Sequence, residues 1–333
     1  MKIHNYLPLL VLVILSACSK KKDVNIQNVW SAQPVMTDIS KDMAANPINA
    51  DSITISNTAD GNLISDGISL YTPPNAFTKA DGTAVSGNIL VKLQTISNVK
   101  DMVLSGITTS SNKGLLESGG MIRISAYDTN HNPLKLNTGI SLVANFPVTG
   151  FTFGFPSAFK GTATTNDANK ISWAQWGTLG PDGTTIGPAV VAQPNNPNNP
   201  NGAVGFRIIN IDEISTWTNL DTYITSTSVL TDISITLPDG FSNLNTQCCF
   251  NYAGINSCAY LYANAGLKAF TTINSGFKVI KGKKANVIVL AKKSGTYYMQ
   301  VIAVSSIGDN QTINANNLKE TTLNAIKLVL AQL

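Results

Sequence analysis

GNILVKLQ, residues 87–94, alternates strictly. Ile89, Val91 and Leu93 fall on one side of an extended chain, and Leu90, Lys92 and Gln94 on the other. Successive strand side chains point to opposite faces, so this period of two predicts a half-buried β-strand. The pattern recurs on both sides of it. ISLYTPP (68–74) stops at two prolines, which cannot donate to a ladder. GMIRISAYD (120–128) sets Ile122, Ile124 and Ala126 against Arg123 and Ser125. GISLVANFP (139–147) carries Ile140, Leu142, Ala144 and Phe146 on one face and ends at Pro147. Short alternating runs bounded by Gly, Pro, Asn and Asp, with no long helical pattern between them, predict an all-β chain of sandwich or barrel type.

The later blocks continue the theme. KISWAQW (170–176) puts Ile171 and Trp173 on one face and Ala174 and Trp176 on the other, and AVGFRIINI (203–211) and ISTWTNLDTY (214–223) follow it. Between them QPNNPNNPNG (193–202) is Asn/Pro low-complexity, which predicts an exposed connection. Trp217 is expected to pack in a core. LTDISITLPDGF (230–241), ANVIVLAKK (285–293) and GTYYMQVIAVSS (295–306) read as further strands. Val287, Ile288, Val289 and Leu290 are apolar on both faces, as in a strand covered on both sides. The chain end differs: Asn317 and Glu320 have capping-box spacing, and Leu323, Ile326, Val329, Leu330 and Leu333 fall close to one helical face. The expected architecture is therefore tandem β-sandwich domains with one C-terminal helix. The expected division is 1–17 signal peptide, 18–48 tether, 49–147 first sandwich, 148–225 second β domain, and 226–333 C-terminal β domain with the helix.

The start of the chain says where the protein lives. In LPLLVLVILSACSKKKD (7–23) the apolar run Leu7–Leu15 is too short for a bilayer, which needs ~20 residues. A basic start, a short apolar stretch and small residues describe a secretory signal. Leu15-Ser16-Ala17-Cys18 resembles the bacterial lipobox, which implies that Cys18 becomes the acylated first residue of the mature chain. Lys20, Lys21 and Lys22 then either sit against lipid headgroups or form the solvated start of a flexible tether. Ser19 resembles outer-membrane sorting, and lysines in place of acidic residues after the cysteine point to a periplasm-facing location.

Composition narrows the chemistry. Of 333 residues, 13% are charged and the net charge is only +4. No basic stripe interleaved with aromatics is present, so nucleic acid is not an expected partner. There are two histidines, and His4 lies in the signal peptide. The other, His131, lies in the polar turn DTNHNP (128–133) and reads as a solvated turn residue rather than a catalytic one, and one histidine makes no His-rich metal site. Asp128, Asn130 and Asn132 stand at alternate positions like the start of a calcium loop, but Pro133 and Gly139 occupy its sixth and twelfth positions. No metal, no cofactor and no catalytic residue is expected. QCCFNYAGINSC (247–258) predicts a hairpin turning at Gly254, closed by a disulfide from Cys258 to Cys249 or to Cys248, since an exported chain meets an oxidising environment.

A family resemblance covers residues 63–147. ISLYTPPNAFTKADGTAVSGNILVKL, then GLLESGGMIRISAYDTNHNPLKL, then ISLVANFP are similar to the β-sandwich of astroprincin and cartilage-intermediate-layer-type proteins. They are more distantly similar to the domain that ankyrins and netrin receptors carry. The matching positions are Pro74, Ala76, Phe77, Gly87, Leu116, Ser118, Gly120, Met121, Leu134, Leu136 and Pro147. Each is a turn or strand feature, and Gly119-Gly120 predicts a bend or bulge. The resemblance implies a binding or structural sandwich and supplies no active-site residues. The functional expectation is a lipid-anchored, non-catalytic structural or interaction protein of the cell envelope. Its expected partners are the membrane, through the anchor, and an envelope protein or glycan. The alternative is a carbohydrate- or peptide-binding lipoprotein, whose mark would be exposed Trp30, Trp173, Trp176 or Trp217.

Overall fold

The computed structural model describes residues 30–31, 37–45, 48–111, 113–148, 150–164, 167–179, 185–193, 205–225 and 229–333. Cys18, the signal segment and nearly all of the Asn/Pro stretch 193–202 lie outside them. The structure is all-β with short helices at its joints.

Two large sheets form most of the first body, beside two small two-stranded pairs. A seven-stranded sheet runs in the order Asn49–Ser56, Asn88–Ile96, Gly114–Tyr127, Trp217–Tyr223, Ser157–Thr164, Asp167–Gln175 and Ser110–Ser111. A five-stranded sheet runs Ala189–Gln193, Gly205–Ile211, Leu142–Phe146, Ile68–Thr72 and Gly61–Ser65. The alternation seen in the sequence decides which side chains meet between them. Ile89, Val91, Leu93, Ile122, Ile124 and Ala126 from one sheet pack against Ile68, Leu70, Leu142, Ala144 and Phe146 from the other. Opposite Leu220 the long strand carries Gly119 and Gly120, two residues against one, which is the expected bulge.

The boundary expected near 147/148 does not separate two sets of sheets. Apart from the small pair Thr178–Leu179 with Thr185–Ile186, the strands of 148–225 extend the same two sheets as the strands of 49–147. Trp217–Tyr223 lies antiparallel beside Gly114–Tyr127, from Trp217 opposite Arg123 to Tyr223 opposite Leu116. Without it that long apolar strand would be an open edge, with its backbone groups unpaired.

Beside the small pair Leu230–Thr231 and Val279–Ile280, the C-terminal part is built on one curled eight-stranded sheet. Its order is Gln311–Asn314, Ile233–Thr236, Ala269–Thr271, Ala259–Asn264, Thr246–Tyr252, Ala285–Lys293, Thr296–Val304 and Lys319–Thr321. The run that is apolar on both faces behaves as expected. Val287 and Val289 point into this sheet's own core, while Ile288 and Leu290 point out into a second core. That second core is shared with the first body, whose Ile96, Leu116, Met121, Phe159, Trp173 and Trp217 fill its other side. The seven-stranded sheet is thus covered on both faces. Each large apolar side chain buried there contributes roughly 1.5–3 kcal/mol.

The described residues hold four helices: α1 (Asp38–Ala44), α2 (Val99–Ser105) and α4 (Leu323–Leu330) at the edges of the shared core, and α3 (Thr272–Ser275) against the strand Ala259–Asn264 of the C-terminal sheet. The first three, unlike α4, were not read from the sequence. Each has a local cap: the Thr37, Asn98 and Thr271 side chains accept from the N–H groups of Ser40, Asp101 and Asn274. The C-terminal helix begins later than its capping-box spacing suggested. Thr322 is its cap, Lys319–Thr321 pairs instead with Thr296–Val304, and the Asn317 N–H donates to Gln300. Ile326 and Leu330 are buried and Val329 is turned out to solvent.

Part of the segment expected to be a tether is docked. Ile39 and Met43 of α1 are buried in the shared core, and Asp42 accepts from Lys292 Nζ at 2.5 Å and from the Tyr297 hydroxyl at 2.8 Å. The Lys292 bond is the main reason the Asp42 carboxyl lies below its usual range. Trp30 packs edge-on against Phe270, 5.5 Å between ring centres, and Ser31 exchanges hydrogen bonds with Asn243.

Candidate binding pocket at the junction

The two bodies meet along the tip of the 246–264 hairpin. Its strands pair antiparallel, with Cys249 opposite Tyr260, and the turn carries Gly254 at φ +76°, a conformation cheap for glycine. The tip is bound almost as another strand would be. Ser118 N–H donates to the Asn256 carbonyl at 2.8 Å, and Asn256 Nδ2 donates to the carbonyls of Ser97 and Ser118, both at 2.9 Å. Thr109 N–H donates to the Cys258 carbonyl at 2.8 Å, and Cys258 N–H donates to Thr109 Oγ1 at 2.8 Å. The Tyr260 hydroxyl donates to the Val103 carbonyl.

The disulfide expected at this hairpin is not formed: Cys248, Cys249 and Cys258 are three free, buried thiols. The register gives the reason. Residue 258 stands two positions along from Tyr260, the partner of Cys249. Diagonal cross-strand positions are typically ~7–8 Å apart at Cα, whereas disulfides usually span ~4.4–6.8 Å. Cys249 and Cys258 do share the junction core. Cys248 faces the core of the C-terminal sheet, on the opposite side. Burial, then the neighbouring Cys258, raises the Cys249 thiol well above its usual range, and burial raises that of Cys248.

The other side chains singled out in the sequence are committed to structure. Trp173 and Trp217 are buried, and Trp173 Nε1 donates to the Thr108 carbonyl at 2.6 Å. Trp30 and Trp176 are half-buried, with Lys160 Nζ 5.5 Å from the Trp176 ring. His131 takes a left-handed turn conformation at φ +60°. Asp128 closes that turn on itself, accepting from the N–H groups of Asn130 and Asn132 and from Asn132 Nδ2. Among the described residues no group of three or more His, Cys, Asp or Glu could hold a metal ion, and no helix is long and apolar enough to cross a membrane.

Sequence reasoning missed a buried acid. Asp221 is fully enclosed beside the bulge, where Asn219 Nδ2 donates to it and Ser118 Oγ donates in turn to Asn219 Oδ1 at 2.8 Å. Burial raises its carboxyl well above the usual range, and nearby Glu117 adds to the effect. Glu117 itself accepts from the N–H groups of Thr152 and Phe153. These groups knit strands together.

Next to the hairpin tip a cavity of about 560 Å³ opens between the two bodies. The first body supplies Lys113, Gly114, Leu115 and Ile224, whose N–H donates to the Leu115 carbonyl. The C-terminal body supplies Tyr252 from its large sheet, Ile273 from α3, Phe277 from the segment after that helix, and Ile280 from the short strand Val279–Ile280. Leu230 pairs with Ile280 at the mouth. Asp232 is neutralised there by Lys278 at 3.5 Å and accepts from the Thr272 hydroxyl at 2.9 Å. No stretch of sequence announces this pocket, because its walls come from five segments.

Compared with protein-family models and with curated proteins, the chain matches none.

Proposed function

We propose that this chain is a lipid-anchored, non-catalytic structural or interaction protein of the cell envelope, held at the outer membrane by acylated Cys18. The observation that carries the reading is the junction. The polar side chains that gather there, Asn256, Thr109 and Tyr260, are spent on backbone groups of the facing body. A two-body scaffold is what such an arrangement supports. Docking of Trp30 and α1 on the C-terminal body suits the anchored part, since it holds the fold to a point only twelve positions after Cys18 in the sequence. The carbohydrate-binding alternative draws less support, because its aromatic platform would need tryptophans that are buried or half-buried here. The positions behind the resemblance to astroprincin-type sandwiches lie in strands and turns of the first body, which suits a scaffold. The test is metabolic labelling with palmitate and membrane fractionation. Wild-type protein should label and sediment with outer membranes, and Cys18→Ala should not label. Normal labelling of Cys18→Ala would defeat the anchor assignment.

A further inference from the structure

We infer that the junction cavity is a binding site for a small amphipathic anion, an apolar body ending in a carboxylate or phosphate. Its volume, about 560 Å³, falls in the range of small-molecule sites, and such sites favour the seams between domains. The inner wall is apolar: Leu115 and Phe277 are buried, and Ile224 and Ile280 continue the surface. The mouth is apolar too, yet uncovered. Leu230 is 48% exposed and Ile273 is 61% exposed, an unusual expense for two large aliphatic side chains facing one opening.

The polar groups at the site favour an anion. Lys113 has no carboxylate partner among the described residues, and its ammonium lies 5.9 Å from the Tyr223 ring centre. Lys278 and Asp232 cancel each other. The Tyr252 hydroxyl accepts from the Ile280 N–H at 2.7 Å, and its own hydrogen has no acceptor among the described residues. Burial pushes that phenol up to about 12, so the hydrogen stays in place at neutral pH. Among the described residues the site therefore offers one lysine without a carboxylate partner, one hydroxyl hydrogen without an acceptor, and an apolar wall. A sugar would leave the wall unused, and a neutral hydrocarbon would leave the lysine and the hydroxyl unused.

The chemistry is shared by a free fatty-acid-type carboxylate and by an anionic lipid in a membrane, so the experiment has an arm for each. The mature polypeptide from Ser19, which retains every described residue, is titrated with dodecanoate, with dodecanol, and with phosphatidylglycerol vesicles. Saturable 1:1 binding of dodecanoate is expected. Lys113→Gln should weaken it about ten-fold, as loss of a charge-assisted contact does, and leave dodecanol almost unchanged. Ile273→Asp should weaken both. Both residues are exposed, so the variants should melt like the wild type, and the melt is recorded alongside. Binding only to vesicles, with the same dependence on Lys113 and Ile273, assigns the anion to a membrane lipid. Absence of saturable binding in both arms, or binding that neither substitution changes, overturns the inference.

Discussion

Removing the side chain of Asn256 should loosen the junction by a calculable amount. Asn256 Nδ2 makes two hydrogen bonds, to the Ser97 and Ser118 carbonyls, both at 2.9 Å and both reaching from the hairpin tip into the first body. A typical intramolecular hydrogen bond contributes ~1 kcal/mol net, and a buried acceptor left without a partner costs ~1–3 kcal/mol. Asn256→Ala removes both donors and leaves two carbonyls facing a void. The bond from Ser118 N–H to the Asn256 carbonyl survives, because it is made by the backbone. The expected destabilisation is therefore about 2–4 kcal/mol, read as the shift of the urea midpoint at unchanged slope. Asn256→Asp should be worse near neutral pH, since it aims a carboxylate at two carbonyl oxygens. Part of its deficit should return as the pH falls and the new acid protonates. If Asn256→Ala shifts stability by less than about 0.5 kcal/mol, the range of ordinary surface changes, the junction is not held as described.

Other outcomes follow from single positions. A Cβ on Gly205 would stand 2.2 Å from the Phe146 carbonyl oxygen, which belongs to the neighbouring strand, whereas one on Gly161 would meet the Ile171 and Trp173 side chains at 2.5 and 2.9 Å. Gly161→Ala should cost about 1–3 kcal/mol by overpacking, and Gly205→Ala more, because a backbone cannot step aside; thermal melts rank the two. Asp221→Asn should stabilise the protein at pH 8. The wild-type carboxyl is raised in the fold above its unfolded value, so its burden is absent below the unfolded pKa and grows as pH rises towards the folded one; paired unfolding curves at pH 4 and pH 8 check this. The three cysteines after Cys18 should all react with a thiol reagent in denatured, unreduced protein and none should react rapidly in the native state; a single reactive thiol would restore the bridge.

Much of the fold was legible in local periodicity. Ile89, Val91 and Leu93 announced their face, and so did Ile171 with Trp173, because burial of one sheet face writes itself as a period of two. The both-sided run at 287–290 foretold a strand between two cores. What failed was long-range or very short. Nothing in ISTWTNLDTY says that it pairs with residues 116–123, about a hundred positions earlier, so the stretch 148–225 read as a domain of its own. Helix α1 has seven residues, fewer than a period of 3.6 needs to show, and its stability comes from the core that Ile39 and Met43 enter. The capping-box spacing at Asn317 and Glu320 was overridden by pairing of Lys319–Thr321 with an open strand edge. The disulfide expectation turned on two residues of register, which turn geometry decides and composition does not. The cavity had no signature, because Lys113, Tyr252 and Ile273 carry no shared motif.

The anchored state at Cys18 is the claim on which the envelope assignment rests, and the intact mass of the protein extracted from its native membranes tests it most directly. The account predicts a chain that begins at Cys18 and carries the added mass of a diacylglyceryl group, with fragment ions placing that mass on the first residue. A chain that begins elsewhere, or one that begins at an unmodified Cys18, would contradict it.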